Sequence, residues 1–346
     1  AVACADPEPK PMTITAPACQ FDGFSKLASW VASYRLQNHL PTKWKTTRFN
    51  DKYGNFRVRF PQVLLDLTAE ESGDDSVVVF AHADEMILPP SENSVIVTGF
   101  TNNAVSSDAL AILKRYKRVI LPDLHQAKAA VAFGVSQATW VYPPTDGRIY
   151  FADGRKNLGR KFGFVAKSAK TLQLGLDVWF EAFPGIDDVL LQIKLEPGVK
   201  LPPLNDHRIT TIEGWLEPYR LANWYRGLDC FLSTSTGRYF DWHTEQAAMC
   251  STPTIGTAWN ACFGAGGCST KFGKAMSIPK AVDWMRLCYF DPAYMSDTAT
   301  MASDSRSPHQ YAHDIHQIVQ CTTLPQLSDT PETLETSSTP CPSCGG

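Results

Sequence analysis

Apolar residues along this chain fall into two alternating rhythms. Short runs such as MTITA (Met12 to Ala16), SVVVFA (Ser76 to Ala81), SVIVTGF (Ser94 to Phe100) and RVILP are bounded by turn residues and read as strands. VLLDL around Val63 belongs to the same class. Between them lie helix patterns: Phe24, Leu27, Ala28 and Val31 recur at i, i+3, i+4, i+7, and further helices are predicted over 108–117 and 125–133. The rhythm breaks at TWVYPPTDG, where two prolines and a glycine predict a stiff hinge over 142–155. It then restarts. FGFVAK predicts a strand over 162–167. A helix follows, with Leu172, Leu176, Trp179, Phe180 and Phe183 on one face, stopped by Pro184-Gly185. VLLQIKL (Val189 to Leu195) reads as a strand covered on both sides, and CFLSTS and PTIGT read as strands after it. A helix opens near Glu217-Pro218, and a short one is predicted around TEQAAMC. Strands alternating with helices predict an α/β fold with parallel sheets. Two such halves joined by a hinge predict a cleft, with ligands outside the carboxyl ends of the strands.

The ends read differently. The first eleven residues are Pro-rich and polar, and residues 321–346 lack apolar periodicity, as a disordered tail would. The 346 residues have 44% hydrophobic and 19% charged residues, a globular balance sufficient for about two domains. No apolar run reaches the roughly 20 residues that span a bilayer, and a net charge of −3 argues against a nucleic-acid partner. Of ten cysteines, Cys230 and Cys250 lie in apolar stretches and are expected to act as small hydrophobes, while Cys341 and Cys344 form an isolated C-x-x-C in the tail.

From 162 to 257 the order of parts resembles the donor-binding domain of GT-B glycosyltransferases of the retaining, family-four type. The parts are FGFVAK, LGLDVWFEAF, VLLQIKL, IEGWLEPYRLANWYRGLDCFLSTS and TEQAAMCSTPTIGT, the last similar to the family's E-A-M-A-x-G-x-P-V-I run. RVILPDLHQAKAAVAFGVSQATWVYPPTD resembles the end of the family's acceptor domain. The resemblance implies a GT-B fold: two Rossmann-like domains, 12–145 for the acceptor and 146–320 for a nucleotide-sugar, with a closing helix near His309 to Val319.

It also implies a site. Glu245 matches the ribose-binding glutamate, whose carboxylate accepts from two hydroxyls; a bare helix-dipole role for a first-turn glutamate is the alternative. The family's other glutamate, which contacts the transferred sugar, falls at Gly237, followed by Arg238. Asp241 or another loop group is expected to take its place, unless the sugar differs or transfer is impaired. Lys167, then Lys170, is expected to hold the diphosphate, since Leu174 precedes Gly175 where the family has a lysine. Trp215 falls at the edge of the nucleobase pocket, against core packing as the more frequent fate of a tryptophan, and Gly264, Gly266 and Gly267 of ACFGAGGC follow PTIGT, where either backbone amides approach a ligand or a plain flexible loop runs. In the first half, Gly23 follows strand one and His82 ends SVVVFA at the expected cleft edge. A basic run with interleaved aromatics, including Lys43 and Arg48, is a lead to an anionic acceptor, against a plain solvated edge strand. Of Asp241, His243 and Glu245 only Asp241 with Glu245 has the i, i+4 spacing of two ligands on one face, and the resemblance to GT-B enzymes, which generally lack an essential metal, implies that no metal or cofactor is expected.

The reading that follows is a retaining glycosyltransferase. It would take a nucleotide-sugar donor and a glycan, lipid-linked or other hydroxyl acceptor, and act in the cytoplasm or peripherally at a membrane. The alternative is a degenerate GT-B protein that binds nucleotide or glycan without transfer. A bilobal solute-binding protein shares the plan but not TEQAAMCSTPTIGT.

Overall fold

The computed structural model describes residues 11–17, 23–47, 76–81, 83, 87–100, 106–154, 157–214, 216–234, 241–257, 268–270, 277–293 and 307–320. They build two six-stranded sheets, every strand pair parallel. The first sheet comprises β1 (Met12–Pro17), β2 (Thr42–Thr47), β3 (Ser76–Phe80), β4 (Val95–Val97), β5 (Arg118–Leu121) and β6 (Ala138–Trp140), in the order β2-β1-β3-β4-β5-β6. The second comprises β7 (Lys161–Ala166), β8 (Leu190–Leu195), β9 (Ile209–Glu213), β10 (Cys230–Leu232), β11 (Thr254–Thr257) and β12 (Cys268–Thr270), in the order β12-β11-β10-β7-β8-β9. Read from β9, the second sheet has the 3-2-1-4-5-6 order of a doubly wound nucleotide fold, whose direction reverses between β7 and β10. In the first sheet the reversal lies between β1 and β3.

Strands β1, β3, β4, β5, β7, β8, β10 and β11 form where the apolar runs predict, because each side of a covered sheet needs its own apolar set, while the VLLDL run lies outside the described residues. Phe162, Phe164 and Ala166 face the helix α4 (Ala169–Ala182), and Val165 faces the other layer with Leu221, Tyr225 and Phe231. Leu172, Leu176, Trp179 and Phe183 are all buried as expected, but Phe180 is 41% exposed. One residue past Trp179 is about 100° around the helix, so the two cannot share a face. In the first half, α1 (Gly23–Gln37) covers one face of the sheet, while α2 (Ser107–Leu113) and α3 (Leu124–Ala132) cover the other. The remaining helices are α5 (Pro218–Arg226), α6 (Trp242–Met249), α7 (Ile278–Phe290) and α8 (Pro308–Gln320).

The closing helix has a place its position in the chain does not suggest. Although α8 follows the second sheet, its Tyr311, Ala312 and Ile315 are buried with Leu27, Val31 and Trp44 in the core of the first half. The expected second domain, 146–320, thus sends its last helix back to the first sheet. The expected hinge is buried from Pro143 to Asp146, and the Asp146 side chain accepts from the backbone and guanidinium of Arg148. Cys230 and Cys250 are buried, and burial pushes the Cys250 thiol up to about 12, which keeps it inert. Among the described residues, no helix is long and apolar enough to cross a membrane.

Candidate functional site

The carboxyl ends of β7, β8 and β10 converge on the start of α6, and four segments bring their polar residues together there. After β7, the chain turns at Lys167 into a capped helix start: Ser168 accepts from the Thr171 backbone, and the Thr171 hydroxyl accepts from the backbone N–H groups of Lys167 and Ser168. This fixes the point from which the Lys167 side chain departs. Its ammonium reaches Asp241 at 2.9 Å and remains 35% exposed.

Asp241 caps α6 and is 2% exposed. Its Oδ2 accepts from the Ser233 hydroxyl at 2.8 Å and the Thr244 hydroxyl at 2.6 Å, and its Oδ1 accepts from Lys167 and from the His243 backbone N–H. Burial alone would raise its pKa, but Lys167, His243 and the hydroxyl donors outweigh that and hold the carboxyl well below the usual range. With four donors on it, Asp241 anchors the cluster, setting Lys167 and the first turn of α6 relative to β10.

His243 extends the network. Its Nδ1 lies 2.7 Å from the Tyr225 hydroxyl and its Nε2 lies 3.7 Å from Glu196 Oε1. Burial first, then Lys167, pushes the imidazole down to about 4, so it is neutral at pH 7. Burial raises the Tyr225 phenol well above its ordinary value, so it keeps its proton. Lys194, 2% exposed near the end of β8, donates to Glu196 at 2.6 Å. Burial would raise the Glu196 carboxyl, but His243, Lys194 and Lys167 hold it low.

Glu245 sits one turn into α6, 6% exposed, with its backbone N–H bonded to the Asp241 carbonyl at 3.1 Å. Its Oε2 accepts from the Tyr142 hydroxyl at 3.1 Å. The structure therefore brings Lys167 against Asp241, with Glu245 one turn along the same helix, beyond the carboxyl ends of the strands where their order reverses. Lys170 is exposed on the first turn of α4, three residues beyond Lys167. Gly23 opens α1 beyond the carboxyl end of β1, facing the corresponding reversal in the first sheet. Lys43 is not brought near either crevice. It pairs with Thr13 close to the amino end of edge strand β2, roughly four strand residues (about 13 Å) short of the carboxyl edge. His82, Arg48, Trp215, Gly237, Arg238 and the glycines of ACFGAGGC lie outside the described residues.

Sequence reasoning missed Tyr142, Lys194 and Glu196. The last two carried a signal: residues i and i+2 on a strand share a face, so a lysine in an otherwise apolar strand with a glutamate two positions on marks a buried pair.

No protein-family model matches the chain, and no curated protein matches it. Solved structures do. Sucrose-phosphate synthase from Thermosynechococcus elongatus superposes with a TM-score of 0.62 at 11% identity, over 89% of this chain and 98% of that one. TarM of S. aureus, as a variant in complex with fondaparinux, alpha-GlcNAc-glycerol and UDP, gives 0.58 at 10% identity over 73% of this chain. That match spans 56% of the TarM chain. The N-terminal domain of trehalose-6-phosphate phosphatase from Candida albicans gives 0.55 at 8% identity, over 90% of this chain and 99% of that domain. The likeness is one of fold, and the fold is GT-B.

Proposed function

We propose that this protein is a glycosyltransferase that moves a sugar from a nucleotide-sugar to an acceptor hydroxyl, with retention of configuration. The observation that carries the reading is Glu245, a buried carboxylate on a rigid helix turn at the switch point of a doubly wound sheet in a GT-B fold. A nucleotide placed there would turn its ribose diol to Glu245, a bidentate match, and its diphosphate to Lys167 and the start of α4. Lys170 is a second cation for the same phosphates. Asp241 serves by holding Lys167 in place. The acceptor would enter from the first half, past Gly23 and His82. In the transfer step the bond from the anomeric carbon to phosphate breaks, the acceptor oxygen bonds to that carbon, and the acceptor proton passes to the leaving phosphate. Closure of the halves would exclude competing water.

Thermal unfolding against nucleoside diphosphates and nucleotide-sugars tests this. A ligand at 100 times its Kd stabilises by about 2.7 kcal/mol, and the shift is expected to vanish in Glu245→Ala, together with turnover. An unchanged shift in that variant would remove Glu245 from the donor site.

A second reading is favoured by one observation: the Lys167 ammonium is engaged by Asp241. In that reading the chain binds a nucleotide or glycan without transfer, as a departure at Gly237 from the glutamate of similar enzymes would also imply. It predicts a thermal shift with no sugar released from any donor and acceptor pair.

A further inference from the structure

We infer that Tyr142 is a positioning residue for the ribose site, locking the Glu245 carboxylate in the orientation that reads a vicinal diol. The inference rests on the donor-site reading of Glu245 and deepens it. The phenol hydroxyl stands 3.1 Å from Oε2 of a carboxylate that is 6% exposed. Both partners are held by rigid supports. Glu245 is carried by the first turns of a helix whose cap, Asp241, is itself fixed by four donors. Tyr142 follows Val141, which is buried in the first-half core and bonded through its N–H to the Leu121 carbonyl at 2.9 Å. It precedes the buried pair Pro143-Pro144, whose rings fix φ. The backbone that carries the phenol is therefore held on both sides of Tyr142.

A carboxylate offers about four lone-pair sites on two oxygens. A phenol fixed to one of them stops the carboxylate plane from turning, so part of the loss of order on binding is already met. The contact also joins the halves: Tyr142 is tied to the first sheet, while α6 packs on the second through Ala247. The acid that recognises the diol is thus set jointly by both halves.

The test measures the affinity of the intact chain for ADP, GDP and UDP and for their 2′-deoxy counterparts, by calorimetry. The native protein is expected to prefer the ribonucleotide of one base by about tenfold, the equivalent of about 1.4 kcal/mol. Tyr142→Phe is expected to lose about tenfold for that ribonucleotide and to leave the deoxy form within about twofold, so that the preference collapses. Tyr142→Gln, which restores an N–H donor, recovers part of it, and Tyr142→Phe added to Glu245→Ala costs nothing further. A Tyr142→Phe protein that keeps the preference, or binds the ribonucleotide more tightly, overturns the positioning role while leaving the donor site standing. A native protein that binds none of the nucleotides overturns both.

Discussion

His243 is a neutral imidazole set among charges, and that gives the protein a specific acid response. Burial and Lys167 lower its pKa to about 4, and His316 is lowered to about 4 by burial, Arg35 and His313. In the unfolded chain a histidine titrates near ~6.5. Between those values the unfolded chain binds protons that the folded one refuses, so stability is fully present above ~6.5 and declines as pH falls toward about 4. Asp241 acts in another window. Its folded pKa is depressed, so its contribution is present above ~3.9 and is lost only as strong acid protonates the carboxylate. The unfolding midpoint in urea is therefore expected to fall between pH 6.5 and pH 4, with a shallower fall in His243→Gln and in His316→Gln; an unchanged slope in both would place the response elsewhere.

The element that presents Lys167 depends on one absent side chain. Helix α4 lies so close to β7 that a Cβ on Gly175 would meet the Phe164 ring at 2.4 Å, and Phe164 is wholly buried. Gly175→Ala is expected to destabilise by about 1–3 kcal/mol, as overpacking in a close-packed core does, seen as a lower urea midpoint. Much at this scale was readable beforehand. The period-two set of Phe162, Phe164 and Ala166 and the helical stripe of Leu172, Leu176 and Trp179 need only one covered face each to declare themselves. Lys167, Asp241 and Glu245 were readable only through the resemblance of FGFVAK and TEQAAMCSTPTIGT to the donor domain of similar enzymes; the apolar pattern alone gives Glu245 no more than a helix-dipole role. What escaped is of two kinds. β12 is three residues, CST, with no apolar alternation to detect. Tyr142 and Glu245 are 103 positions apart, and only the fold brings a residue of the linker against a helix of the second half. The apolar stripe of α7, Ala281, Val282, Met285 and Cys288, carried a helical signal beyond the stretch where the resemblance applied.

On the scale of the whole molecule, the last described helix makes the first half depend on the end of the chain. Arg35, fully buried on α1, donates to the Pro41 carbonyl at 2.7 Å and has Nη1 2.9 Å from His316 Nδ1. Arg118 on β5 donates to the Ile318 carbonyl, and Tyr34 pairs with His313. Two buried guanidiniums, one on helix α1 and one on strand β5, thus hold α8 against the first half around an apolar seam that includes Ile315. The arrangement closes a loop in the architecture: the linker at 142–146 leaves the first half, and α8 returns to it, so the second half is tethered at both ends. It also predicts where a defect at the chain's end is felt. Ile315→Ala is expected to cost about 2–5 kcal/mol through its lost burial and the cavity left behind. That cost should fall on the sheet the helix covers, because opening is local to cooperative units. Amide hydrogen exchange should therefore quicken in β1, β3 and α1 and stay unchanged in β7 and β8, although Ile315 is nearer to the second sheet in sequence. Equal quickening in both sheets would mean that the halves open as one unit.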